Sequence, residues 1–155
     1  MSASPAAPPN GEEHGAPVSL GWSLGLRATN AADVITRVER GFSTTALDRL
    51  RRRLGLSADE IADVIGTSPR TLARRRRAGR LDAAESDRLY RLARLFERAV
   101  EVFGGGADGE DDARRWFHAP QWALGGETPL AYARTEPGAR EVEALLDRID
   151  YGVLA

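Results

Sequence analysis

The chain of 155 residues contains no cysteine. Disulfides and thiolate metal sites are thereby excluded, and a reducing compartment is compatible with the composition. Lysine is also absent, and all 22 basic side chains are arginine. Arginine favours bidentate contacts to phosphate, guanine or carboxylate. Only two histidines occur. His14 falls in a stretch poor in large apolar residues, and His118 has no second His or Cys with which to bind a metal or activate a nucleophile, so a structural role is expected for it. This shortage of His, Cys and Lys makes an enzyme the least favoured class, and no cofactor or metal is expected. No apolar run approaches the roughly 18 residues of a membrane span, and no charged-then-apolar leader opens the chain. A cytoplasmic protein without membrane association is the expectation.

What is present is a strong asymmetry of charge, hidden by a formal net charge of −1. Residues 41–98 hold 14 Arg against 8 Asp and Glu, a net of +6, and residues 99–155 hold 5 Arg against 11 acids, a net of −6. A basic segment suits a polyanion and an acidic one repels it, so the two ends are expected to face different partners.

The stretch Leu56 to Arg77 organises the basic part. Ser57 with Glu60 forms a capping box, so a helix should start near Ala58 with Ile61, Val64 and Ile65 on its buried side. Gly66 can close that helix, and Ser68-Pro69 restarts one with an N-cap hydroxyl and a proline at the first helical position. Ala62 fits where the two helices approach most closely, and Ile61, Ile65 and Leu72 can form the knot between them. This is a helix-turn-helix signature, in which the N-terminal part of the second helix enters the major groove. Arg70, Thr71 and Arg74 are the groove-facing residues. With Thr67 and Ser68 in the turn and Arg75 and Arg77 further along, they make up the candidate DNA-binding set. The run Arg74 to Arg77 sweeps about 300° around a helix, so not all four can face DNA. Arg51 to Arg53 and Arg77 are candidates for phosphate contacts or simple solvation. Arg75 stands where many such motifs carry an aliphatic residue, which allows either a different packing of the corner or arginines presented to a protein.

Other helices are predicted from caps and periodicity. Residues 1–17 read as a disordered tail. Val18 to Arg27, with Leu20, Trp22, Leu24 and Leu26 alternating, suits a short strand or an irregular packed segment. Val34, Ile35 and Val38 mark a short helix ending at Gly41, and Leu47, Leu50 and Leu54 mark another ending at Gly55. Asp82 with Glu85 opens a long helix to Phe103, stopped by Gly104-Gly105-Gly106. Its wide apolar surface needs cover from the C-terminal part, from a second copy, or from both. An acidic loop over Ala107 to Asp112 follows, then a helix with Trp116 and Phe117, a short helix through Tyr132, and a last helix from Ala139 to Ile149. Trp116 and Trp122 are expected in the core. The fold class is all-α, with residues 18–80 holding the N-terminal segment and helix-turn-helix, 81–106 a connecting and dimerising helix, and 107–155 a small helical domain.

Four ordered pieces carry a resemblance: Arg70-Thr71-Leu72 with Arg74-Arg75; Glu85 to Leu89 leading to Phe103-Gly104; Trp116 with Pro120 and Leu124-Gly125-Gly126-Glu127-Thr128-Pro129-Leu130; and Gly138, Val142, Leu146, Ile149 with Tyr151-Gly152-Val153. From roughly Leu47 onward the chain resembles the Xre-type antitoxins of RES-Xre toxin-antitoxin modules, whose C-terminal toxin-binding domain is shared with the MbcA and ParS antitoxins. The resemblance implies a helical homodimer that binds the operator DNA of its own operon and neutralises a RES-domain toxin that degrades NAD. It also implies that Arg148, Tyr151, Gly152, Val153 and Leu154 lie at the toxin's active-site cleft. Trp116, Pro120, Gly125, Gly126, Pro129, Leu130 and Gly138 then make the structural motif of the toxin-binding domain. The acidic charge of this half would suit a cleft built for an anionic dinucleotide. The alternative is a plain helix-turn-helix repressor whose C-terminal domain senses a ligand or a protein.

Overall fold

The computed structural model describes residues 19–153; the tail expected over 1–17 and Leu154, expected at the toxin-binding end, lie outside the described residues. Helices begin where side chains satisfy the orphan amides of a first turn. Asn30 accepts from the Asp33 amide to open α1 (Ala31–Arg40), and Ser43 accepts from the Ala46 amide to open α2 (Thr44–Leu54). The Ser57–Glu60 box opens α3 (Ala58–Val64), and Ser68 with Pro69 opens α4 (Pro69–Ala78). The Asp82–Glu85 box opens α5 (Ala83–Val102). Three more helices complete the described chain: α6 (Gly106–His118), α7 (Pro129–Tyr132) and α8 (Glu136–Asp150). The fold is all-α, as expected, and the helix-turn-helix half precedes a helical C-terminal half.

A single hydrophobic cluster runs from Leu24 to Leu146, with α5 as its spine. Leu89, Leu92, Ala93, Leu95, Phe96, Ala99 and Val100 are all buried, because α1, α2, α6, α8 and the N-terminal segment pack around them. The Phe96 ring lies 6.2 Å from that of Trp22 and 6.4 Å from that of Phe117, which ties the segment before α1 and helix α6 to one residue. The wide apolar surface of α5 is thus covered within the chain. Truncating such a residue to alanine costs about 3–5 kcal/mol.

The segment before α1 is a 3-10 turn, Trp22–Leu24, flanked by an antiparallel bridge between Leu20 and Ala28. Glu97 of α5 clasps it. Its carboxylate accepts from the Ser23 hydroxyl at 2.6 Å, the Ser23 amide at 2.9 Å and the Gly21 amide at 3.3 Å. Beside this segment Leu20, Val34, Ile35, Val38 and Tyr90 border a groove between α1 and α5, where Ile35 is exposed although it was expected on the apolar side of its helix.

Three expectations are corrected. The acidic loop over 107–112 is helical: acids are stabilised in a first turn by the helix dipole, and Glu110, Asp111 and Asp112 pair with Arg53, Arg114 and Arg115. The last helix begins at Glu136, not Ala139, because Thr135 caps the Gly138 amide and Pro137 sits in the first turn where its missing N–H costs nothing. Gly138 is buried there, and a Cβ on it would stand 1.9 Å from the Tyr132 carbonyl oxygen, so only glycine lets α8 approach α7. Trp122, expected in the core, is 85% exposed. His118 is structural, its Nε2 lying 2.7 Å from the Leu54 carbonyl oxygen at the end of α2.

The charge asymmetry is partly neutralised inside the molecule. Arg53 pairs with Glu110 at 2.7 Å, Arg94 with Glu143 at 3.3 Å, and Arg98 with Asp147 at 3.1 Å and Asp150 at 2.8 Å. The first joins α2 to α6, and the pairs of Arg94 and Arg98 set α8 beside α5 and running in the same direction.

Burial pushes the Glu97 carboxyl above the ordinary glutamate range, against the opposing effect of the Ser23 and Gly21 hydrogen bonds. A raised folded pKa gives stability that is complete below the ordinary value of about 4.3 and is lost as pH rises through the folded value. Wild type should therefore gain stability relative to the non-titrating Glu97→Gln variant as pH is lowered through that window, measured by urea unfolding at stepped pH.

Candidate nucleic-acid and partner interfaces

The corner between α3 and α4 is closed by apolar contacts. Ile61, Ala62, Ile65 and Leu72 are all buried. Gly66 turns the chain with φ of 71°, a left-handed conformation that an L side chain rarely adopts. The Thr67 amide donates to the Ala62 carbonyl at 2.9 Å, and Arg88 of α5 donates to the Ile65 carbonyl at 3.2 Å. The small Ala62 and the αL glycine together permit the tight approach that the motif needs.

The arginines of α4 divide into two groups. Arg75 donates from Nε to Glu85 at 3.0 Å and from Nη2 to Asp82 at 2.9 Å, and Arg76 donates to Asp48 of α2 at 2.7 Å. Arg70, Arg74 and Arg77 are exposed, and among the described residues no carboxylate pairs with them. At positions i, i+4 and i+7 the three fall within about 60° of one another around the helix axis, so they form one stripe. Thr71 is half-buried at its edge, its hydroxyl accepting from the Ser68 hydroxyl at 3.0 Å. Ser68 is exposed and Thr67 half-buried at the entrance to the helix.

Two expectations change as a result. Arg75, a member of the candidate DNA-binding set, is instead engaged in an ion pair to the capping box of α5, the different packing of the corner that its sequence allowed; its partner Glu85 is buried. Arg51 and Arg53 leave the phosphate candidates: Arg51 donates to Asp48 and to the Leu56 carbonyl, and Arg53 binds Glu110 with its guanidinium 5.1 Å from the centre of the Trp22 ring. Arg52 remains exposed. Burial opposes ionisation of Asp48, but hydrogen bonds from Arg76 and Arg51 outweigh it and hold its carboxyl below the ordinary aspartate value.

At the other end of the molecule α8 closes with two bonds of a Schellman motif. The Val153 amide donates to the Arg148 carbonyl at 2.9 Å and the Gly152 amide to the Ile149 carbonyl at 3.1 Å, with Gly152 at φ of 70°. This end is ordered, yet its side chains face solvent: Tyr151 is 81% and Val153 55% exposed. Arg148 is half-buried.

Of the expected motif of this half, Trp116 packs on Phe103 and Phe117 with ring centres 5.9 and 5.3 Å away, Pro129 and Gly138 are buried, and Leu130 is half-buried. Pro120, Gly125 and Gly126 lie on the surface around a 3-10 turn, Trp122–Leu124. That turn carries Trp122, which sequence reasoning placed inside. The informative signal was its spacing from Leu124 across one short turn, since Leu124 takes the inward position.

Removing Arg75 strands a buried Glu85 carboxylate, and breaking such a pair costs about 3–5 kcal/mol when fully buried and less at this partly open site. Arg75→Ala should therefore lower the urea midpoint clearly, whereas Arg74→Ala should leave it within about 0.5 kcal/mol of wild type, as expected of an exposed substitution. Equal effects in paired unfolding curves would contradict the division of the arginines.

Comparison with known proteins agrees with this layout. A family model described as the antitoxin Xre-like helix-turn-helix domain matches residues 33–94, and one described as the antitoxin Xre/MbcA/ParS C-terminal toxin-binding domain matches residues 98–152. The chain is similar to Antitoxin Xre of Yersinia enterocolitica, with 32% identity over 88% of this chain and 91% of that protein. It is 35% identical to Antitoxin Xre of Pseudomonas putida over 77% of this chain and 72% of the other, and 28% identical to Antitoxin Xre of Photorhabdus laumondii over 86% and 88%. Carrying a helix-turn-helix domain followed by a toxin-binding domain, the chain belongs to the Xre family of antitoxins.

Proposed function

We propose that this antitoxin neutralises a RES-domain, NAD-degrading toxin from the adjacent gene by seating its C-terminal end, Arg148 to Leu154, in the toxin's active-site cleft. As a homodimer it also represses its own operon by presenting α4 to operator DNA, each copy reading one half-site. The observation that carries the inhibitory reading is the end of α8, where an ordered backbone holds Tyr151 and Val153 out in solvent. A preorganised aromatic group loses little freedom on docking. The DNA reading is supported by the stripe of Arg70, Arg74 and Arg77, whose guanidinium groups have no carboxylate partner among the described residues. The net acidity of the C-terminal half is offset next to this end by Arg98, which binds both Asp147 and Asp150, so shape and apolar contact contribute more there than charge.

The two activities are separable by mutation. Arg70→Ala or Arg74→Ala should weaken operator binding by about 1–3 kcal/mol if it reads a base edge, measured by fluorescence anisotropy, while toxin inhibition is unchanged. A chain ending at Asp150 should bind operator like wild type but fail to stop NAD loss in an assay of the co-purified toxin. Loss of both activities from either folded variant would refute the division. A neighbouring gene product that neither co-purifies nor consumes NAD would favour a plain repressor instead.

A further inference from the structure

Trp122 has no evident part in holding the fold together. It is the most exposed of the large apolar residues described, at 85%, although a tryptophan ordinarily contributes a large buried area. The turn beneath it is nevertheless fixed. The Leu124 amide donates to the Gln121 carbonyl at 3.0 Å, Gly125 to Trp122 at 3.0 Å, Gly126 to Gln121 at 2.9 Å, and Gln121 to Glu127 at 3.0 Å. Leu124 is buried and pins the turn, which packs against α8. The result is a rigid pedestal with an indole on top.

Among the described residues, the large apolar groups that face solvent belong to two parts of the chain. Leu20 and Ile35 border the groove beside α1, whereas Trp122, Tyr151 and Val153 belong to the C-terminal half. Trp122 and Tyr151 both lie within the segment matched by the toxin-binding model, and the turn that carries Trp122 packs against α8, the helix whose C-cap is Tyr151. The turn around Trp122 offers Gln121, Glu127, Gly125 and Gly126 and no basic group, which suits a protein surface and not a phosphate backbone.

We infer that Trp122 is a second anchor for the toxin, inserting into an apolar recess that carries an acceptor for the indole N–H, beside the cleft taken by the C-terminal end. The inference rests on the toxin-binding reading above and adds to it a contact outside the plug. Exposed, preordered tryptophans are the residues that dominate protein interfaces once desolvated. Two attachment points on one rigid body also raise affinity above that of the tail alone.

The test uses the full antitoxin and its co-purified toxin, re-associated after separation, with Kd measured for wild type, Trp122→Ala, Trp122→Phe and Tyr151→Ala. Trp122→Ala should raise Kd at least about thirty-fold, the size expected of an interface hot spot, with thermal midpoint and operator affinity unchanged and Trp122→Phe intermediate. In 5-fluorotryptophan-labelled antitoxin, the resonance missing from Trp122→Phe should shift on adding unlabelled toxin. If Trp122→Ala binds within twofold of wild type while Tyr151→Ala is weakened, the anchor is refuted and the plug stands. If Trp122→Ala changes only self-association, seen by sedimentation, the residue is a contact between copies and the inference fails. If wild type does not bind the toxin at all, the underlying reading fails, and the anchor with it.

Discussion

The burial of α5 is the constraint on which the rest depends. A helix that is apolar around most of its circumference is stable only when other elements enclose it, and here the enclosing elements come from both sides of it in the chain. The helix-turn-helix half and the toxin-binding half are therefore not beads on a linker. Each functional end is referenced to the same rod: α4 through Arg75 and Glu85 near its start, α8 through Arg98 further along. Displacing either end requires opening contacts with a common core.

Charge is used twice in this molecule. Half the work of the arginines is internal: Arg53, Arg75, Arg76 and Arg98 hold helices in register against carboxylates. What remains unpaired on α4 among the described residues is a narrow stripe instead of a basic belt. Such a stripe is better matched to the width of a groove than four arginines spread about 300° around the axis would be. A chain without lysine gains geometric definition in these pairs, because each planar fork can meet two acceptors at once, as Arg75 does with Asp82 and Glu85.

Much of this was legible in the sequence because caps and periodicity are local. Ser57 with Glu60, Ser68 with Pro69, and Asp82 with Glu85 announce their helices without reference to anything distant. What was not legible was decided at long range. The sequence leaves open whether Arg75 repacks the corner or is presented to a partner, because its partner Glu85 lies on the next helix, and the acid run before Trp116 reads as a loop because Arg53 is 57 residues away from Glu110. Trp122 was misplaced because aromatic character argues for burial in general, while the direction of a side chain in a four-residue turn depends on which neighbour is already anchored. The C-terminal tyrosine was found through resemblance; that its backbone is closed and ordered could be seen only in three dimensions.

The Schellman closure at Gly152 usually brings an apolar residue beyond the helix back onto the last turn. Here the position it would cover is Arg148, and Val153 stays outside. The last turn thus fixes a direction of exit without consuming its apolar residue. Since α8 is clamped to α5 upstream, adding or removing one residue between Asp147 and Tyr151 would swing the aromatic ring by about 100° and shift it by about 1.5 Å. The length of the final helix therefore sets where this exposed end points as much as the identity of the residues at its tip.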